Sequence, residues 1–585
     1  MKFIKFAEYL ERIETTASRN DMTNILAEML NELSGDEIDK AIYLALGRLT
    51  AQYISLEFNM SEKLMFRAVG QVIGAKTEDV VSGYKKVGDL GEYLFKESPI
   101  QDASLGHTLT EVYDRLVSIA KDEGSGSQDR KIAAMADLLS TVSPLERRYL
   151  CRIPLKKLRL GCSDMTVLDA ISICATGDKS VRKEVERAYN VSADIGLIAK
   201  ISRVSGVTAL ANVEVTPGIP IRPAAAERLP DAESIIEKFG EVAVEPKIDG
   251  FRLQCHYQRL GFISENSSVA LYSRNLEDMT EMFPEISHAL KDLPVDSIII
   301  EGECVAFDPG SGEILPFQDT MQRRRKHDIA SKAKKLPLTM FVFDLLYYDG
   351  QNFMQRPHKE RRDALVELTG DQESSLRTIE EVVVSSSDDL REYFNRQIDM
   401  GREGIMAKNL DSPYTPGKRT KNWVKLKRDE TSKLQDTIDC VVMGYKVGLG
   451  KRNDFGIGAF LAGVYDESGD RFLTVSNIGT GLTDAQWHEF KSRCERLKVE
   501  EKPSNYGVPD SLNQDVWVGP GIVVEIMADE ITRSPLHTAR MKGEELGYAL
   551  RFPRLINWRD DKSPEQATTV KEIVQLFNLQ KHINK

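Results

Sequence analysis

Glu245-Pro246-Lys247-Ile248-Asp249-Gly250 is the stretch from which the rest of the chain is read. Val242-Ala243-Val244 before it is short and apolar, as a strand is, and Asp249-Gly250 after the lysine is a turn signal. Lys247 therefore falls at a strand end, where an amine can face a bound phosphate. A lysine attacks phosphorus only in its neutral form, which partial burial and neighbouring cations favour. By itself, a lysine beside an Asp-Gly turn is more often an ordinary surface residue, so its meaning depends on the motifs farther along the chain.

Arg252, two residues past the turn, is a candidate for phosphate or ribose. Ser273-Arg274-Asn275 alone is a polar turn. Ile298-Ile299-Ile300 leads into Glu301-Gly302-Glu303, two alternating carboxylates expected at the end of a buried strand and suited to ribose hydroxyls or hard divalent cations. From Met340 to Leu345, strand alternation puts Phe341 and Phe343 on one face; most such phenylalanines are core. Glu403-Gly404 comes next, and then the basic run Tyr414 to Lys427. In its last residues alternation sets Lys425 and Lys427 on one face, able to meet the same phosphate group. A final cluster runs Arg551-Phe552-Pro553-Arg554 and Arg559-Asp560-Asp561-Lys562.

In this order the motifs resemble the ATP-dependent DNA ligases of the archaeal and eukaryotic replicative type. The resemblance implies that Lys247 carries a covalent AMP, that Glu245 lies against the adenine and that Phe343 stacks on it. It assigns Arg274, Arg419 and Lys425 to phosphate, with Lys427 as a helper, and Glu303 and Glu403 to Mg²⁺. The 551–562 cluster corresponds to a motif that orients departing pyrophosphate; needed in one step only, it implies large domain movements. The N-terminal third is similar to the family's DNA-binding domain in Gly88-Asp89-Leu90-Gly91, Gly124-Ser125-Gly126-Ser127 and Leu158-Arg159-Leu160-Gly161 through Ala170. One departure is Arg222-Pro223-Ala224-Ala225-Ala226, where relatives often carry Met-Leu-Ala, which bears on connector packing.

The implied function is the sealing of nicks in duplex DNA during replication, repair and recombination, with ATP and Mg²⁺ as cofactors. Nicked duplex DNA is the expected partner. A sliding clamp is a further one, although no unambiguous clamp peptide stands in the sequence. The final helix, Thr568 to Leu579, is expected to latch the barrel in a closed state. The alternatives are an RNA ligase or capping-type nucleotidyltransferase, or, from a different class, a non-catalytic DNA clamp.

Composition sets outer limits. At 585 residues several domains are expected, and 41% hydrophobic with 29% charged residues describes an ordinary soluble protein. No apolar run approaches a membrane span and the N-terminus lacks a secretory apolar region, so a cytoplasmic monomer without membrane contact is expected. The seven cysteines form no Cys-x-x-Cys pair, so neither a zinc ribbon nor a disulfide framework is supported, which also counts against the NAD-dependent ligases. A net charge of −12 is unusual for a DNA-binding chain. Local basic stretches at Arg147-Arg148, Lys156 to Arg159, Arg323 to Lys326, Lys332 to Lys335 and Lys418 to Lys427 offset it, suggesting contact through surfaces brought together around the duplex.

Organisation is set by periodicity. Phe6, Tyr9, Leu10 and Ile13, then Leu26, Met29, Leu30 and Leu33, read as helical faces, the second after a polar Asn20-Asp21 start; Ser143-Pro144 reads as a helix start and 124–127 as a loop. Prolines at 217, 220, 223 and 230 mark a connector, beyond which short apolar strands at Val242 to Val244, Leu253 to Tyr257, Ile298 to Ile300, Met340 to Phe343 and Gly404 to Ala407 alternate with helices over 281–290 and 359–368. After Lys427-Arg428-Asp429, closely spaced strands with glycine-rich turns predict a small barrel and then an amphipathic helix. The expected fold is thus multidomain α+β: an all-α DNA-binding domain over 1–215, an α/β adenylation domain over 216–429 and an OB-fold barrel with its helix over 430–585.

Overall fold

The computed structural model describes residues 1–98, 105–261, 263, 267–308, 314–315, 317–324, 329–369, 374–427, 437–448, 456–479, 482–541 and 546–582. Arg325 and Lys326 of one basic stretch, and Arg428 and Asp429 at the expected boundary, lie outside the described residues. The chain divides into two compact units, Met1–Lys427 and Arg428–Lys585. Among the described residues no helix is long and apolar enough to cross a membrane.

The first unit opens with helices from Phe3–Glu14 to Ile195–Ser205. Phe6, Leu10 and Ile13 from the first helix and Leu26, Met29 and Leu30 from the second are buried in one core, so the apolar stripes do fix the packing. Local chemistry sets the helix starts. Ser143 and Glu146 form a reciprocal capping box with Pro144 in the first turn. The second helix begins at Arg19, just before the expected polar start, because Ser18 accepts from the Asp21 N–H.

Beyond residue 224 the backbone becomes strand. In chain order the strands are β1 (Ala225–Arg228), β2 (Val242–Pro246), β3 (Phe251–Gln258), β4 (Val269–Ser273), β5 (Ser297–Ala306), β6 (Leu338–Tyr348), β7 (Gln351–Asn352), β8 (Leu376–Thr378), β9 (Val382–Val384), β10 (Gly404–Lys408) and β11 (Arg419–Lys427). They form two sheets. One has the order β1-β11-β10-β2-β9, the other β4-β3-β5-β6-β7 with β8 beside β6.

Alternation gives the first sheet two unlike faces. Val244, Ile405, Ala407, Val424 and Leu426 pack with Ile235 and Leu390 from the helices Ala232–Phe239 and Ser387–Asp399. The register pairs Met406 with Glu245 and Lys425, and Lys408 with Trp423, on the opposite face. The second sheet is built alike. Leu253, Cys255, Ile298, Ile300 and Val342 belong to its core, while Arg252 and Gln254 pair with Glu303 and Glu301 on the other side.

Glu301 and Glu303 lie mid-strand in β5, not at a strand end as the sequence suggested. The strand runs through them because their side chains leave the apolar core for the polar side. The connector crosses that side too: the Gly218 N–H donates to His256 Nδ1 at 3.1 Å and the Ile221 N–H to Gln254 Oε1 at 2.7 Å. Gly218 has φ +94°, and a Cβ there would meet the Ile263 carbonyl at 2.4 Å. The alanines at 224–226 fit their place. Ala224 is buried, and Ala225 and Ala226 enter the parallel edge strand β1.

The second unit is rich in strands. They are β12 (Ile438–Lys446), β13 (Ala459–Asp466), β14 (Arg471–Ile478), β15 (Lys498–Val499), β16 (Tyr506–Gly507), β17 (Val516–Val518), β18 (Val523–Met527), β19 (Glu530–Ser534), β20 (Gly547–Arg551) and β21 (Arg554–Trp558). Eight form a curled sheet and β19 pairs with β20. Tyr445, Phe460, Trp487 and Phe490 fill its core, joined by Ile573 and Phe577 of the helix Val570–His582.

Candidate active site

Lys247 comes directly after β2, its N–H donating to the Gly404 carbonyl at 2.9 Å while its own carbonyl accepts from the Glu403 N–H at 3.2 Å. The strand end thus seats lysine and glutamate side by side. Lys247 Nζ lies 2.6 Å from Glu403 Oε2, and Lys427 Nζ 3.2 Å from the same oxygen. Gly404 stands between the two lysines across the sheet, with φ +145°. A Cβ there would meet the Leu426 carbonyl at 2.1 Å, so the pairing requires glycine. Burial alone would raise the Glu403 carboxyl, but Lys247 and Lys427 more than offset it and hold it below the ordinary range.

Around Lys425 the cations converge. Burial lowers its pKa first, and Lys427, Lys247, Arg274 and Arg419 add to the depression. In the sequence these residues come from three separate motifs, around Lys247, around Arg274 and in the run Tyr414 to Lys427. Arg274, on the turn after β4, and Arg419, opening β11, are exposed, whereas Lys425 and Lys427 are half-buried. Clustered cations, two of them half-buried, favour a polyphosphate, whose binding relieves their repulsion.

The other wall carries the carboxylates. Glu303 Oε1 accepts from the Gly250 N–H at 3.1 Å, and burial pushes this carboxyl up to about 7 against the pull of Lys247 and Arg252. Glu303 and Glu403 are both oxygen donors near the Lys247 amine, which fits a hard divalent cation. Glu301 is fully buried and plays another part. Its oxygens accept from Arg252 Nη2 at 2.7 Å, Tyr414 Oη at 2.8 Å and Gln254 Nε2 at 3.1 Å. Arg252 Nη1 donates to the Ala224 carbonyl at 2.6 Å. Both terminal nitrogens of Arg252 are therefore engaged within the protein.

Phe343 meets Trp423 edge to face at 6.1 Å, with the Arg252 guanidinium 5.3 Å from its ring centre. Phe341, on the same side of β6, lies instead 6.2 Å from Phe307. Glu245 is buried beside Phe343, through a residue that sequence reasoning passed over. Lys408 Nζ donates to Glu245 Oε1 at 2.7 Å and to the Phe343 carbonyl at 2.8 Å. A signal was present: Lys408 is two residues past Met406 in an otherwise apolar strand, hence on the cleft side. Burial raises Glu245 to about 7, with Lys408 opposing.

In the second unit the cluster of 551–562 is paired with acids. Arg551 meets Glu530 at 2.5 Å, Arg554 meets Asp529 at 2.6 Å, and Arg559 and Lys562 share Asp439 at 3.0 and 2.5 Å.

Two sheets packed together through Ile299, Phe343, Met406 and Trp423, with a lysine at a strand end among cations and carboxylates, define a nucleotide-handling domain of the covalent-transfer class. Residues 223–427 match the ATP dependent DNA ligase domain, 2–172 the DNA ligase N terminus and 453–562 the ATP dependent DNA ligase C terminal region. A "Probable DNA ligase" of Dictyoglomus thermophilum is 44% identical over 583 residues, covering 99% of this chain and 98% of the relative. The "DNA ligase" of Sulfurisphaera tokodaii is 38% identical over 598 residues, with 99% and 98% covered. A solved structure titled Pmar-Lig_PreS3 shares the fold, with a TM-score of 0.54 at 18% identity over 95% of this chain and 99% of its own. The chain belongs to the ATP-dependent DNA ligase family.

Proposed function

We propose that this protein is a nick-sealing DNA ligase in which Lys247 attacks the α-phosphorus of ATP and displaces pyrophosphate, the AMP passes from Lys247 to the 5′-phosphate at a nick and frees the lysine, and the neighbouring 3′-hydroxyl attacks that phosphate, forming the phosphodiester and displacing AMP. The observation that carries the reading is the seat of Lys247, beside Glu403 and at the edge of the group formed by Arg274, Arg419, Lys425 and Lys427. These cations neutralise the triphosphate and hold its α-phosphorus in line with the amine. Glu403 keeps the free amine oriented and yields it when phosphate arrives. Phe343 stacks on the adenine and Glu245 lies against its edge. Arg252 serves the nucleotide through Glu301 and the Phe343 ring, to which its Nη2 donor and the face of its guanidinium are committed. Glu303 and Glu403 would hold Mg²⁺, which when bound would supply charge neutralisation at the phosphates.

The helical domain over 1–215 and the strand-rich domain over 430–585 complete a three-domain ligase. It acts as a monomer on nicked duplex inside the cell in replication, repair and recombination, and a sliding clamp is a further partner. Minor-groove and backbone contact makes its DNA binding largely independent of sequence.

The test mixes protein, Mg²⁺ and α-labelled ATP, looks for an acid-labile, alkali-stable adduct on Lys247, and chases it with nicked DNA. Adduct formation followed by AMP release and a sealed strand supports the assignment. Unchanged sealing by Lys247→Ala refutes it, and an adduct formed from GTP but not ATP points to capping chemistry.

A further inference from the structure

Lys408 is buried, 1% exposed at its side chain, and it joins groups that the proposed mechanism gives to the base: the Glu245 carboxylate and the Phe343 carbonyl. Its ammonium also lies 5.0 Å from the Phe343 ring centre and 4.7 Å from that of Trp423. Two aromatic faces and a carboxylate thus stabilise a cation away from water. Among the described residues the other titratable and charged groups around Glu245 are His358, Arg361 and Arg362 on the helix His358–Leu368, Glu381 before β9, and Tyr393 on the helix Ser387–Asp399. Glu245, His358 and Glu381 have ligand atoms within 4.8 Å of one another, a spacing that would suit a metal ion. That role is already taken at Glu245 by the Lys408 ammonium, and His358 Nε2 lies 2.8 Å from Glu381 Oε2.

We propose that Lys408 is the positioning residue that sets purine choice: by holding Glu245 Oε1 it fixes the group at position 245 in one orientation, leaving the other oxygen to face the base as an acceptor. The inference rests on the assignment of Glu245 to the base. An outward-facing carboxylate oxygen accepts from the 6-amino group of adenine. It repels the 6-oxo group of guanine presented in the same orientation, a mismatch of buried polar groups that discriminates strongly.

The geometry makes an asymmetric prediction. In Glu245→Gln, the ammonium retains the amide oxygen and turns the amide NH₂ toward the base, which then suits guanine. With Lys408 also replaced, nothing fixes the amide and the preference disappears. Burial raises the Glu245 carboxyl to about 7 while the Lys408 cation opposes it, so removing the cation raises it further. In Lys408→Met, the rise in KM for ATP on acidification therefore moves to higher pH.

The experiment measures covalent labelling of the full-length protein by α-labelled ATP and GTP, with kcat and KM for each, in wild type, Glu245→Gln, Lys408→Met and the double variant. The expected result is a shift of at least ~10-fold toward GTP in Glu245→Gln, carried mainly by KM, and its loss in the double variant. The same shift in single and double variants overturns the role of Lys408. An unchanged ATP-to-GTP ratio in Glu245→Gln overturns the placement of Glu245 at the base. If Lys408→Met does not fold, the comparison of Glu245→Gln with the double variant, which removes both charges, still decides the question.

Discussion

Replacing Arg252 by methionine separates a structural arginine from one that touches the nucleotide. Glu301, 0% exposed, loses its only cationic partner among the described contacts and retains two neutral donors, Tyr414 and Gln254. Breaking one side of a buried ion pair costs about 3–5 kcal/mol, because the remaining charge must be neutralised or rehydrated. The Ala224 carbonyl also loses its donor, which adds roughly 1 kcal/mol. At about 2–4 °C per kcal/mol for a domain of 150–250 residues, the combined ~4–6 kcal/mol lowers the unfolding midpoint of the two-sheet part of the first unit, from β1 to β11, by roughly 8–24 °C. Calorimetry should show that loss, while labelling of Lys247 well below the new midpoint stays within about tenfold of wild type. Arg252→Met/Glu301→Leu should recover much of the stability, since an apolar replacement of the pair leaves no buried charge. An Arg252→Met protein with an unchanged midpoint and no labelling would refute this reasoning and return Arg252 to direct phosphate contact.

The same geometry makes three further predictions. Gly404→Ala should reduce Lys247 labelling by about 100-fold or more, because its Cβ displaces β11 and misplaces Lys427 and Glu403 by about an ångström; rapid-quench labelling measures it. Asp344, buried against Arg361 at 2.7 Å, has its carboxyl held down by the guanidinium, which outweighs burial. Its folded pKa lies below the unfolded value, so its contribution is present above about pH 4 and fades as pH falls further; the midpoint difference between wild type and Asp344→Asn should narrow between about pH 5 and pH 2. Phe343→Leu should raise KM for ATP with a smaller effect on kcat, as loss of stacking removes binding common to ground and transition states; equal loss in kcat and kcat/KM would argue against stacking.

The sequence reveals the elements better than their ends. Val242 to Val244, Leu253 to Tyr257 and Gly404 to Ala407 are strands close to the expected bounds. Pattern alone cuts β5 short at Glu301 and β6 at Phe343, because a carboxylate inside an apolar run reads as a boundary. Here each of those strands has one face in an apolar core and the other among polar partners, so Glu301, Glu303 and Asp344 interrupt the apolar run without ending the strand. The same two-sidedness hides one member of the site. Lys247, Arg274, Glu403 and Lys425 stand in recognisable local patterns, whereas Lys408 shows only as a lysine in an apolar strand, and its partners follow from the alignment of β10 with β2 and β11, a register no single segment encodes.

The acids that accompany Arg551, Arg554, Arg559 and Lys562 have a thermodynamic consequence. Bare cations that bind phosphate displace mobile ions from the polyanion, and that release makes affinity fall steeply with salt. Cations already matched by Glu530, Asp529 and Asp439 must exchange a tethered carboxylate for the incoming phosphate. Added salt then weakens the internal partner along with the external one, so the two effects oppose. The strand-rich unit should accordingly show a shallower dependence of log affinity on log salt than these arginine and lysine side chains would give if each were solvated alone.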